Sequence, residues 1–300
     1  MDRFHMLNVF LAIVDTGGFA PAARRLNLSP PAVTRAVAEL EDHLGVRLLT
    51  RTTRSVRLTD AGVSYTEDCR RILADLELAD ETVSGADAPP KGRLNITAPV
   101  LFGSLYVTPV VAEYLQRYVD VSITCLFVDR VINIVDEGVD VAVRIGELPN
   151  STLQAIQVGQ VGKVICASPQ YLSKMGTPKK PQDLVDHTII SSNTVTPSFE
   201  WNMNENGVAR AVRIHPRMVT STNDSAIVAA TGGLGLTRLL SYQVADFLRD
   251  GRLVRVLPEF ELKPDPIHVI HREGRRVPQK VRTFLDLVVE RLRKALVFPA

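Results

Sequence analysis

The apolar positions of the first sixty residues repeat with helical spacing. Leu7, Phe10, Leu11 and Val14 fall at i, i+3, i+4 and i+7, one face of a helix that Gly17 and Gly18 end. The alanine-rich FAPAARRLNL follows as a short second helix, with Asn27 suited to a left-handed turn after it. Ser29 is then an N-cap. Pro30 and Pro31 occupy the first helical positions, where a missing N–H forfeits no intrahelical bond. Val33, Val37, Leu40 and Leu44 mark the buried stripe of this third helix, and Gly45 stops it. Helix, tight turn and capped helix make a helix-turn-helix pattern, whose second element enters the DNA major groove by its first turn. A plain hairpin of an all-α domain is the alternative.

The stretch VRLLTRTTRSVRLT favours the DNA reading. Arginines stand at 47, 51, 54 and 57, with no acid between positions 43 and 59. Val46–Leu49 and Val56–Leu58 are expected as two short strands around a polar tip, a wing suited to phosphate contact and minor-groove approach. The alternative is a solvated basic hairpin. The expected DNA-binding set is Ser29, Pro30, Pro31, Thr34, Arg35, Arg51, Arg54 and Arg57. Thr34 would meet base edges or phosphate, and Arg35 would read guanine or grip phosphate.

After Thr59, an N-cap, the apolar residues Tyr65, Cys69, Ile72, Leu76, Ala79 and Val83 advance in steps of four and three, a heptad seam. A helix over 59–84 would be roughly 39 Å long and needs a partner along its stripe, either a second copy in a homodimer or its own domain. SGADAPPKG (84–92) is a linker. Behind it strands and helices alternate: RLNIT, a helix through Tyr106–Tyr118, VSITCLFV, a helix near Val131–Glu137, then VDVAVRI. KVICAS, a helical region around Leu172–Leu184, HTIISS, RIHPRMVT, a helix after Asn223, GLGLTRLL and LVRVL come next. PIHVIHR and a helix from Pro278 to about Leu296 close the chain. This alternation predicts two α/β units built on parallel strands.

Composition changes little. Of 300 residues 45% are hydrophobic and 23% charged, with a net charge of +2, so any electrostatic attraction to DNA must be local. No apolar run reaches the roughly 18–20 residues a membrane span needs, and MDRFHMLNVFLAIVDTGG lacks the plan of a signal peptide. A cytoplasmic protein with no membrane partner is expected. Cys69, Cys125 and Cys166 form no CxxC and are expected as buried packing thiols in a reducing compartment. Gly232, Gly233 and Gly235 do not complete GxGxxG, since Arg238 stands at the third position. No GxSxG, HExxH or P-loop occurs, and a strand would put His268 and His271 on opposite faces. No catalytic residue, metal site or cofactor is therefore expected. An enzyme, or a solute-binding α/β protein with an accessory helical domain, is the rival reading; neither uses an arginine wing.

Several motifs in order, DTGGFAPAARRL, SPPAVTRAVAELEDHLGVRLLTRTTRSVRLTDAG, YVDVSITCLFVD, EGVDVAVRIG, ASPQYL, PQDLVDH and GGLGLTRLL, give a chain that resembles the LysR-type transcriptional regulators over essentially its whole length. One departure is Pro30, where the family often has a base-reading glutamine. The resemblance implies an all-α winged helix-turn-helix head (1–58) and a dimerisation linker helix and hinge (59–91). An α/β periplasmic-binding-protein-like effector domain (92–300) would follow, with subdomain I at 92–161 and 267–300 and subdomain II at 162–266. It also implies a homotetramer on double-stranded promoter DNA, communication with RNA polymerase, and a small-molecule effector in the cleft.

RLNIT running into APVLFGS would aim backbone N–H groups at Phe102, Gly103 and Ser104, beside Val100, into that cleft as an anion site. Arg144 would either hold a carboxylate or serve an internal ion pair. Ser191, Ser192, Asn193, Thr222 and Asn223 would add polar contacts from subdomain II or cap strand ends. The expected effector is an anionic or polar metabolite.

Overall fold

A computed structural model describes residues 2–51, 56–84, 89–130, 132–134, 137–148, 153–192, 199–272 and 277–296. The chain divides into two compact units, one built on Met1–Pro89 and the other on Pro90–Ile132, Val139–Arg275 and Lys280–Ala300.

In the first unit, helices α1 (Arg3–Thr16), α2 (Phe19–Leu26) and α3 (Pro30–Leu44) precede β1 (Leu49–Arg51), β2 (Val56–Leu58) and α4 (Asp60–Ser84). Each helix end follows the local chemistry. Gly17 (φ 72°), Asn27 (φ 54°) and Gly45 (φ 67°) take the left-handed turn after α1, α2 and α3. The Ser29 hydroxyl accepts the Ala32 N–H at 3.3 Å over the two prolines. β1 and β2 pair antiparallel, with Leu49 opposite Leu58. Phe10, Ile13, Val33, Val37, Leu40 and Leu48 form the core, each side chain contributing about 1.5–3 kcal/mol by leaving water.

The seam of α4 has two fates. Cys69 lies inside the head's own core with Tyr65 and Leu73 against it, and the Tyr65 ring centre is 6.0 Å from that of Phe10. Ile72, Leu76 and Ala79 continue the stripe and are exposed. The predicted dimer seam is thus partly intramolecular, because α1 packs on the first turns of α4 and covers the stripe there.

The second unit holds two five-stranded sheets and a hairpin. β3 (Gly92–Ala98) leads through a short helical turn, α5 (Val100–Phe102), and a π-helical turn (Gly103–Val107) into α6 (Thr108–Arg117). β4 (Val121–Phe127), β5 (Val141–Ile145) and β6 (Leu153–Val161) follow. β7 (Lys163–Ala167), α7 (Pro169–Met175), a 3₁₀ turn (Pro181–Asp186) and β8 (Ile189–Ser192) open the second subdomain. Next come β9 (Glu200–Glu205), β10 (Val208–Arg213), β11 (Pro216–Thr220), α8 (Asn223–Thr231), β12 (Leu236–Leu240), α9 (Ser241–Arg249) and β13 (Val254–Val256). β14 (Asp265–Arg272) and α10 (Gln279–Ala295) return to the first subdomain.

The first sheet runs β4-β3-β5-β14-β6 and the second β11-β8-β12-β7-β13. β3 is parallel to β4 and β5, and β8 to β11 and β12. β14 enters antiparallel between β5 and β6.

Three expectations fail here, and one element was missed. Among the described residues of 131–137 there is no helix, only irregular chain and turn. RIHPRMVT is not one strand: Arg213 ends β10 and Pro216 begins β11. The β9–β10 hairpin was missed although Asn206–Gly207, with φ of 55° and 84°, supplies the turn dipeptide of a tight hairpin. Cys125 is exposed, because β4 is an edge strand with much of its length open to solvent.

Candidate functional sites: a reading head and an effector domain

In the reading head, Ser29, Pro30, Pro31 and Arg35 are exposed on the first turns of α3, with Thr34 half-buried beside them. Arg57 is exposed on β2, and Arg51 ends β1; Arg54 lies outside the described residues. Arg47 Nη1 donates to Glu41 Oε2 at 2.7 Å.

Glu41, which sequence reasoning passed over, holds helix and wing together. It is 4% exposed, and its Oε1 accepts the N–H groups of Leu48 at 2.8 Å and Leu49 at 3.0 Å. Burial pushes the carboxyl pKa up, but Arg47 and the two backbone donors together outweigh burial and hold it below its ordinary value. Its position, four residues after the inward-facing Val37, was the available signal: an acid on an apolar stripe.

On the other side of the wing, the Thr59 hydroxyl donates to the Arg47 carbonyl at 2.7 Å and accepts the Gly62 N–H at 2.9 Å, capping α4. Gly62 sits so close that a Cβ there would be 2.0 Å from the Leu48 carbonyl oxygen.

In the effector domain the expected anion cradle is filled from within the chain. The Val100 N–H donates to Asp129 Oδ1 at 2.9 Å and the Gly103 N–H to the Pro99 carbonyl at 2.7 Å. Tyr242 from α9 packs against this turn. Ser104 is exposed on the π-helical turn. The Phe102 ring is 4.9 Å from Tyr106 and 5.4 Å from Tyr242, centre to centre, and Leu101 packs on the core under α8 and α9. Burial holds the Tyr242 phenol far above its ordinary pKa, so it stays neutral. Gly103 is required by close approach, since a Cβ would lie 2.5 Å from the Phe127 ring. The turn therefore joins the two subdomains through aromatic contact, and the N–H groups of Val100 and Gly103 already have acceptors.

Arg144 on β5 is half-buried. Its Nη1 donates to the Val143 carbonyl at 3.0 Å and its Nη2 reaches Thr97 Oγ1 at 3.4 Å. His268 stands across from it on β14, with a buried Nδ1 that lacks a hydrogen-bond partner. In the second subdomain Ser192 Oγ donates to Asn223 Oδ1 at 2.8 Å, linking the end of β8 to the start of α8. Thr222 Oγ1 accepts the Ser225 N–H at 3.3 Å as the cap of α8. Asn193 lies outside the described residues. Among the described residues no group of three or more histidines, cysteines, aspartates or glutamates could hold a metal ion, and no helix is long and apolar enough to cross a membrane.

A helix-turn-helix head followed by a two-subdomain α/β unit is the plan of a DNA-binding regulator, and comparison with known proteins names the lineage. The bacterial regulatory helix-turn-helix family of LysR type matches residues 4–63, and the LysR substrate binding domain matches residues 87–293. The chain belongs to the LysR family of transcriptional regulators.

An HTH-type transcriptional repressor of Pseudomonas aeruginosa is 32% identical over 97% of this chain and 92% of its own length. The transcriptional activator AaeR of Escherichia coli is 29% identical, over 97% of this chain and 94% of its own length. Among solved structures, the full-length virulence activator AphB of Vibrio cholerae aligns with a TM-score of 0.64 at 28% identity, covering 96% of this chain and 99% of that one. These relatives are transcriptional regulators, and they include both a repressor and an activator.

Proposed function

We propose that this LysR-type regulator reads operator DNA through the first turns of α3 and the β1–β2 wing, and that a small anionic or polar metabolite in its α/β unit alters promoter activity. The observation that carries the DNA half is the exposed turn Pro30–Arg35, braced from behind by Glu41. Pro30 has no side-chain donor, so base reading falls to Thr34 and Arg35, with DNA shape contributing. The metabolite half rests on Arg144 and His268 in one subdomain and on Ser192, Thr222 and Asn223 in the other. No further cofactor enters this reading.

Assembly follows from the exposed half of the α4 stripe. Ile72, Leu76 and Ala79 present an apolar strip that a second copy of α4 would cover, placing two heads side by side on duplex DNA. Dimers would associate further into a tetramer and address RNA polymerase in the cytoplasm.

Footprinting of the purified chain on DNA flanking its own gene, with and without candidate metabolites, tests the reading. Protected half-sites with salt-sensitive affinity are the expected result, and failure to protect any such DNA refutes it. Arg35→Ala should cost about 1–3 kcal/mol at one base position, whereas Arg57→Ala should weaken all sequences alike.

A further inference from the structure

β12 carries Arg238 on the face of the second sheet that packs against the β9–β10 hairpin. Leu236, two residues earlier and so on the same face, shares a core with Ile165, Trp201 and Met203. The Arg238 guanidinium carbon lies 5.0 Å from the centre of the Trp201 ring, and Nη1 donates to the Asn202 carbonyl at 3.1 Å. No carboxylate of the described residues is within ion-pair distance of it. Asp265, the acid acting on it from farther away, already receives Lys163 Nζ at 2.6 Å.

A guanidinium offers five N–H donors, and one is used among the described residues. Burial brings the Arg238 pKa down to about 10, the direction set by a cation taken from water without a counter-ion. Arg238 is half-buried, and a partly desolvated cation with no counter-ion beside it is the kind of group that concentrates at ligand sites. Ser191 stands beside it: Leu236 pairs with Ile189 and Thr237 with Ile190 in parallel register, so the next residue of β8 falls next to Arg238, on the same face. Arg144 differs in already having two acceptors at its guanidinium.

We propose that Arg238 is the anchor of a site for a small carboxylic acid, which it takes in ionised form. The Nε and Nη2 donors, which no described residue receives, would hold the two oxygens side by side, while the Trp201 indole covers one face of the guanidinium. This deepens the effector reading and rests on it. It adds a charged anchor in the second subdomain to the polar groups already named there.

Trp201 is the single tryptophan of the chain, so intrinsic fluorescence reports on this site directly. The full chain is titrated with benzoate and succinate, with the neutral benzamide and succinamide, and with inorganic phosphate. At least one carboxylate is expected to give a saturable change in Trp201 emission, and the amides none. By calorimetry, Arg238→Gln should weaken that carboxylate roughly tenfold or more. Arg238→Lys, which keeps charge but loses the planar edge, should fall between the two. Circular dichroism verifies that each variant is folded; if Arg238→Gln is not, Arg238→Lys decides, and unchanged affinity there refutes the site.

The proposal is overturned if neither carboxylate shifts the emission, if phosphate alone does, or if the amides match the acids. It is also overturned if Arg238→Gln binds as the parent does. Operator binding measured on the same preparation separates the two readings: retained DNA binding with no response at Trp201 removes this site and leaves the regulator standing.

Discussion

Removing the Glu41 carboxylate should loosen the wing from the reading helix. Glu41→Ala leaves the buried N–H groups of Leu48 and Leu49 without the acceptor that stands 2.8 and 3.0 Å away. An unsatisfied buried donor costs about 1–3 kcal/mol, so for two donors the loss is roughly 2–6 kcal/mol, reduced if water enters. Arg47 adds little, because its side chain is 73% exposed and its charge is screened. Glu41→Gln keeps one carbonyl oxygen for both donors and should cost only about 1 kcal/mol, the difference between a charge-assisted and a neutral bond.

Amide hydrogen exchange read at Leu48 and Leu49 is the direct assay, since it measures local opening without requiring the whole chain to unfold in one step. Operator affinity on the same samples links the opening to function. The carboxyl titrates below its ordinary value in the folded head. The unfolded chain therefore binds the proton first, and the contribution, complete above the ordinary carboxylate range, fades as pH falls through it. Unchanged protection at both amides in Glu41→Ala would refute the reasoning.

Gly62→Ala would set a Cβ 2.0 Å from the Leu48 carbonyl oxygen. Backbone must move, and a loss of about 1–3 kcal/mol or more is expected in the unfolding of the head. The Tyr171 hydroxyl accepts the Thr188 N–H at 2.9 Å and lies 3.1 Å from His187 Nδ1. Burial lowers the His187 pKa from the usual 6.5. Stability should therefore drop as pH falls through that value, and melting curves of His187→Gln should show less of the drop. Of the three thiols, Cys125 is exposed, while burial drives Cys69 and Cys166 up to about 11 and about 12. Alkylation of the native protein, read by mass spectrometry, should label Cys125 first.

Elements whose information is local were legible in the sequence. The serine cap, paired prolines and closing glycine of α3 specify that helix without outside help, and the β14 segment alternates as a strand should. The β9–β10 hairpin was equally local, yet its Asn–Gly turn sat within a polar stretch that suggested no strand. The effector domain was less legible for a physical reason. Whether the Phe102 turn is open to an anion depends on Asp129 and Tyr242, residues remote in the chain that only the folded sheets bring to it. Arg238 was weighed only as a missing glycine, since its lack of a counter-ion is a property of three-dimensional surroundings.

The union of α4 with the head has a mechanical consequence. Tyr65, Cys69 and Leu73 are keyed into the core and Gly62 is seated on the wing, so the reading surface cannot swivel about the start of the helix. Head and helix form one lever, about 38 Å long at 1.5 Å per residue. Tilting that lever by ten degrees carries its far end through roughly 6 Å, about the pitch of one helical turn. A modest change of angle at the remote end, once imposed, therefore sets where and how the reading surface meets the groove.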